Sequence, residues 1–226
     1  MPRSRDSEAL SQSRRAAERS TLTSRYTIGI DANQMAKRGG ETRKRIIEAA
    51  YRTFYRDGFT RAGVDAIAEA ANVTKRTLYY HFDSKDSLLA TVLDNQNELA
   101  LGRIRRWAEK ACGEPAEIVA ILFAEIEAWA KQPGWTGTGF TRVAMELADM
   151  PGHPARLAAS RHKAAVEQWL TAQFAAKHAH NPAVLARQVV LLIEGSQSLA
   201  LIHGDVSYIN SAGETARRLI KHHYSE

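Results

Sequence analysis

Cysteine is nearly absent. Cys112 is the only one, which excludes an intrachain disulfide framework, suits a reducing compartment, and leaves this thiol without a resolving partner. No run of eighteen uninterrupted apolar residues occurs, so no segment reads as a membrane span. The N-terminus carries arginines with no apolar stretch behind them, unlike a secretory signal. These absences together predict a cytoplasmic protein. Catalytic signatures are missing too: there is no glycine-rich phosphate loop, no Gly-x-Ser-x-Gly and no His-Glu-x-x-His. The eight histidines do not fall at metal-ligand spacings, and His222-His223 reads as a solvated end. No catalytic residue, metal or cofactor is therefore expected. Strand alternation and internal repeats are also lacking, which leaves an all-α protein.

Charge is present in an uneven form. The net charge is +6. Residues 1–90 hold 17 Lys/Arg against 11 Asp/Glu, and residues 91–226 hold 14 against 14. The whole excess thus sits in the first part, which points to a polyanion partner for that part.

Residues 1–40 are rich in Arg, Ser and Ala without a sustained apolar period, and read as a disordered basic segment. Met35 opens MAKRGGETRKRII, which looks like a natural start. Residues 1–34 are then an appended leader, an over-long gene reading or a genuine basic arm. Order is expected from Thr42, a good N-cap followed by Ile46, Ala49, Ala50, Thr53 and Phe54 at helical spacing. That helix stops at Asp57-Gly58. A short helix over 64–71, a turn at Asn72, and a second short helix over 75–81 capped by Thr74 follow. Ser84 then caps a long helix to about Ala111. Further helices are predicted over 115–132, 140–149, 154–178, 182–203 and 212–223, each set off by Gly or Pro.

Two short helices joined by a tight turn, the second basic and aromatic, form the helix-turn-helix layout. The second helix presents side chains to the major groove while its neighbours hold phosphates. In Thr74-Lys75-Arg76-Thr77-Leu78-Tyr79-Tyr80-His81-Phe82, Leu78 and Phe82 lie four apart and should face the core. Lys75, Arg76, Thr77 and Tyr80 then face outward, with Arg suited to guanine and Thr to a thymine methyl or a phosphate.

Residues 42–89, ending in LYYHFDSKDSLL, resemble the N-terminal domain of the TetR family of transcriptional regulators. The resemblance implies base contacts from Lys75, Arg76, Thr77 and Tyr80, and phosphate contacts from Thr60, Tyr79, His81 and Lys85. Three departures stand out. Gly63 replaces a capping Ser or Thr, Asn72 replaces the turn Gly, and Arg76 replaces a small residue. The implied organisation is a disordered segment 1–40, a DNA-binding domain 41–88, and a helical ligand-binding and dimerisation domain 89–226.

The helix over 182–203 is largely apolar on both sides, as a helix buried on both sides would be. One face carries Leu185, Val189, Leu192, Ser196, Leu199 and His203. The other carries Val190, Glu194, Gln197, Ser198 and Leu201. The resemblance implies that the last two long helices pair with their symmetry mates. The first face, with Ala216, Leu219 and Ile220 of the last helix, is therefore the expected homodimer interface. A pocket among the middle helices is expected to draw on Trp107, Phe123, Trp129, Trp135, Phe140, Met145, Glu146, Trp169 and Glu194. Glu194, flanked by apolar residues, needs a partner if buried: an Arg, a dimer-mate group or a ligand amine. The function expected is a sequence-specific transcription regulator, in the family's common manner a repressor released from a palindromic operator by a small-molecule inducer. A ligand-free helical DNA binder is the alternative, though DNA binding alone does not require so large a neutral body. A helical enzyme stands further off.

Overall fold

The computed structural model describes residues 32–111 and 113–224, so Cys112 and the segment 1–31 lie outside the described residues. The chain forms two compact units, 1–44 and 45–226. All nine α-helices of the described residues run in chain order without a strand among them. They are α1 (Ala32–Asp57), α2 (Val64–Ala70), α3 (Lys75–His81), α4 (Lys85–Ala108), α5 (Pro115–Ala130), α6 (Gly139–Glu146), α7 (Pro154–Ala175), α8 (Pro182–His203) and α9 (Ser207–His223).

Most boundaries follow local chemistry. Gly58 ends α1 with a φ of 94°, and Asn72 turns the chain at a φ of 51°. Thr74 Oγ1 accepts from the Thr77 amide at 3.0 Å, and Ser84 and Ser87 form a reciprocal capping box on α4. Pro115, Pro154 and Pro182 each stand in the first turn of their helices, where the missing N–H costs nothing.

Two starts differ from the sequence expectation. α1 begins at Ala32, so residues 32–40 are helical and Thr42 lies inside the helix rather than capping it. Ala, Gln, Met, Lys and Arg over 32–38 are good helix formers. Gly39 and Gly40 lower propensity by about 1 kcal/mol each without removing a hydrogen-bond donor. α9 begins at Ser207 rather than Ala212. The Asp205 carboxylate accepts the Ser207 N–H at 2.9 Å and so fixes the first turn early.

The second unit holds two cores. The first unites the helix-turn-helix with the neighbouring body: Phe54, Phe59, Ile67, Leu78 and Phe82 pack in one cluster with Leu88, Val92, Phe140, Val143 and Leu147. Leu78 and Phe82 thus face inward as expected. The second core joins α5, α7, α8 and α9 around Ile118, Leu122, Phe123, Leu170, Phe174, Val189, Ala216 and Ile220. α5 and α9 approach so closely that a Cβ on Gly213 would sit 2.7 Å from that of Phe123. α8 is long and apolar enough to span a membrane by length and composition alone. It carries Arg187 and Glu194, and it packs between α7 and α9.

Candidate nucleic-acid interface and internal cavity

α3 is positioned by Leu78 and Phe82 beneath it and by the Thr74 cap at its start. Its outer face is open. Tyr80 is 85% exposed, Tyr79 is exposed, and Lys75 and Arg76 project into solvent. Lys75 pairs with Asp65 of α2 at 3.0 Å. Among the described residues Arg76 has no ion-pair partner. Thr77 is half-buried, its hydroxyl shared with Thr74 at 2.8 Å. The His81 ring stands edge-on to Tyr80, with centroids 5.2 Å apart.

Two residues read as phosphate contacts are already engaged inside the fold. Lys85 Nζ donates to the Thr60 carbonyl at 2.6 Å, and its partial burial holds the ammonium pKa below the usual lysine range. Thr60 Oγ1 lies 3.3 Å from Glu146 Oε2. The same carboxylate oxygen accepts the backbone N–H of Phe59 at 2.9 Å and of Thr60 at 3.1 Å. Glu146 is therefore no pocket residue. It is the last residue of α6, and it clasps the loop that connects α1 to α2.

The opposite end of α6 reaches a cavity of about 180 Å³. Tyr51 and Tyr55 of α1, Trp107 of α4, Trp129 of α5, Phe140 of α6 and Val190 of α8 form much of its apolar wall. Gly139 is required there by close approach: a Cβ would fall 1.8 Å from the Tyr55 hydroxyl oxygen. Burial, and next the neighbouring Tyr51, push the Tyr55 phenol well above its ordinary pKa, so it stays protonated. Arg142 lies over the rings of Tyr55 and Phe59, at 5.8 and 5.5 Å.

The polar lining includes Lys163, Glu194 and His162. Lys163 pairs with Glu194 at 2.5 Å, and Thr141 Oγ1 donates to the other Glu194 oxygen at 2.8 Å. The buried His162 stacks on Phe140, with ring centroids 3.7 Å apart, and its Nδ1 lies 2.8 Å from Asn97 Oδ1. Desolvation first, and then the Lys163 charge, lower the His162 pKa to about 3, so its ring is neutral.

Trp107, Trp129, Phe140 and Glu194 thus line the cavity as expected from sequence, and five other candidates do not. Phe123 is buried beneath Gly213, Trp135 packs edge-on against Trp129 at 5.9 Å, and Trp169 packs against the second core. Met145 lies on the outer side of the short α6 at 66% exposure, and Glu146 faces the loop. Apolar character alone does not separate core from cavity wall. Tyr51, Tyr55, His162 and Lys163 were missed. The first two lie in a segment that reads as DNA-binding, and the last two sit in a charged run resembling a solvated face. Within the protomer Glu194 is partnered by Lys163 and Thr141, not by an Arg.

The expected partner face of α8 is only partly open in the protomer. Leu185, Val189 and Ser196 are buried in the protomer, as are Ala216 and Ile220 of α9. Leu192 and Leu219 pack partly against the same core, His203 stacks on Tyr208 at 5.2 Å, and Leu199 alone of the apolar set is exposed. The open row is Val184, Leu191, Gly195 and Ile202, with Leu191 and Ile202 at 66% and 71% exposure. Offsets of 7, 11 and 18 from Val184 return to one side of a 3.6-residue helix. A helix apolar all round gives no phase in its sequence, so the packing of α7 and α9 decides which side is inner.

Residues 46–92 match the family model described as "Bacterial regulatory proteins, tetR family". The HTH-type transcriptional regulator TtgR of Pseudomonas putida is 47% identical over 58 residues, 26% of this chain and 28% of TtgR. The chain therefore matches well under two thirds of this relative's length. TtgW, an HTH-type transcriptional regulator of the same species, is 36% identical over 108 residues, 45% of this chain and 75% of its own. A solved TetR transcriptional regulator of Streptomyces avermitilis is 31% identical, with a TM-score of 0.67, over 77% of this chain and 97% of its own. An open basic α3 on a capped turn, the helix order, and identity that runs through nearly all of a solved regulator lead to one assignment: this chain belongs to the TetR family of DNA-binding transcriptional regulators.

Proposed function

We propose that the protein is a cytoplasmic homodimeric repressor, released from a palindromic operator when a small molecule enters the cavity beside Trp107, Trp129 and Phe140. One observation carries this reading. The short helix α6 begins at the cavity wall, at Gly139 and Phe140, and ends at Glu146 on the α1–α2 loop. A shift of α6 on ligand entry pulls on the loop that supports the reading helix. Through Val143 and Leu147 it also disturbs the core shared with Leu78 and Phe82.

The DNA-reading set is Lys75, Arg76, Thr77 and Tyr80 at the bases, with Tyr79, His81, Thr60 and Lys85 toward phosphates. Lys85 keeps two further N–H donors beyond its bond to Thr60. Two such heads must enter successive major grooves roughly 34–36 Å apart. The open row Val184, Leu191, Gly195 and Ile202 supports pairing of α8 with its symmetry mate, a self-complementary contact about a two-fold axis. A ligand acts only through its differential affinity for the DNA-competent state, so operator DNA must weaken ligand binding by the same factor. Selection of bound fragments from genomic DNA, followed by titration of the selected site with and without ligand, tests the reading. Failure to enrich any site, or an operator affinity indifferent to every cavity occupant, overturns it.

A further inference from the structure

Resting on the ligand-response reading, we infer that the cavity takes a flat aromatic acid, one ring bearing a carboxylate or a phenolate, with Lys163 as the anion's anchor. The volume sets the size. About 180 Å³ is little more than the roughly 150 Å³ cavity that accommodates benzene, so a single ring with a short substituent fits. The walls set the shape, since Trp107, Trp129 and Phe140 offer indole and phenyl surfaces to an aromatic ring.

The charges set the sign. Lys163 is paired with Glu194, and Arg103, exposed and with its guanidinium carbon 6.0 Å from the Trp107 ring centroid, is the remaining charge of the lining. Glu194 accepts from Lys163 on one oxygen and from Thr141 on the other, and its charge is already balanced by Lys163. Lys163 spends one of its three N–H donors on Glu194 and keeps two for an anion. His162, neutral at physiological pH, adds no charge to oppose one. An aromatic cage of this kind also attracts organic cations. Here Lys163 and Arg103 oppose that, and the acid is favoured.

Full-length protein is titrated with benzoate, benzamide and benzylammonium at pH 7.4, by tryptophan fluorescence and calorimetry. Benzoate is expected to bind at least tenfold more tightly than either isostere. K163R keeps that preference. The double variant K163M/E194Q, which removes the ion pair as a unit and leaves the exposed Arg103 in place, brings benzoate down to the level of benzamide. Benzylammonium binding as well as benzoate, no binding by any of the three, or an acid preference that survives K163M/E194Q overturns the assignment. Operator titrations in the presence of each probe separate this inference from the one beneath it. DNA release by the amine or amide alone refutes the acid class and leaves ligand response intact. Tight benzoate binding without DNA release refutes ligand response and leaves the acid class intact.

Discussion

Glu146 and Phe59 lie 87 positions apart, yet the Glu146 carboxylate accepts the Phe59 backbone N–H at 2.9 Å. With the adjoining Thr60 amide, this bond fastens the end of α6 to the loop ahead of α2. Glu146→Ala strands two backbone donors, one of them part-buried, and is expected to cost about 1–3 kcal/mol of stability. Operator affinity should fall while binding to the cavity stays within twofold. A thermal melt and paired DNA and ligand titrations read the three quantities. Full operator affinity and an unchanged melt would show that the clasp carries no coupling.

Arg76 is the outward base-contact candidate without an ion-pair partner among the described residues. Arg76→Ala should cost roughly 1–3 kcal/mol on the cognate site and little on random DNA. Equal losses on both would assign it to phosphate.

Lys85 is predicted to serve twice, tying the loop at Thr60 and touching a phosphate. Lys85→Met should lower the melting temperature slightly and reduce the salt slope of DNA binding by about one per contacted phosphate. A lower melt with an unaltered slope would leave only the structural role.

Leu191→Arg or Ile202→Arg places a charge in the open row of α8. Either should split the dimer and abolish operator binding, with helical content preserved. Light scattering beside a DNA titration decides it. A variant that stays dimeric and binds normally would move the interface off this row.

His162 predicts a pH dependence with a definite sign. Its folded pKa is about 3 against 6.5 for the ordinary residue. Between those values the unfolded chain binds the proton and the folded chain does not. Stability is therefore full above about pH 6.5 and falls as the pH drops toward 3, with a slope approaching 1.4 kcal/mol per unit from this group. In His162→Gln that part of the slope should vanish. An unchanged acid limb in denaturant titrations would remove His162 as its source.

The reading unit was legible in the sequence because its signals are local. Thr74 caps within three residues, Asn72 turns in place, and Leu78 and Phe82 share one face at a spacing of four. The cavity was only partly legible because its walls are long-range. Trp129 lines it while Trp135, against the same ring, does not, and no period distinguishes them. Lys163 meets Glu194 across 31 residues, which an isolated stretch cannot announce. The inner side of α8 was not legible for a related reason: Leu185 and Leu191 look alike in the sequence, and only the neighbouring helices make one inner and the other outer.

No residue of α2 or α3 lines the cavity, and no cavity residue lies on the open face of the reading helix. On the proposed reading, the side chains that meet DNA bases and those that meet a ligand are therefore separate. Drift at Trp107, Trp129 or Lys163 would then retune what is sensed without touching which sequence is read. Drift at Arg76 or Tyr80 would do the reverse. The element common to both sides is a single short rod, with a glycine at one end that admits no side chain beside Tyr55 and a carboxylate at the other.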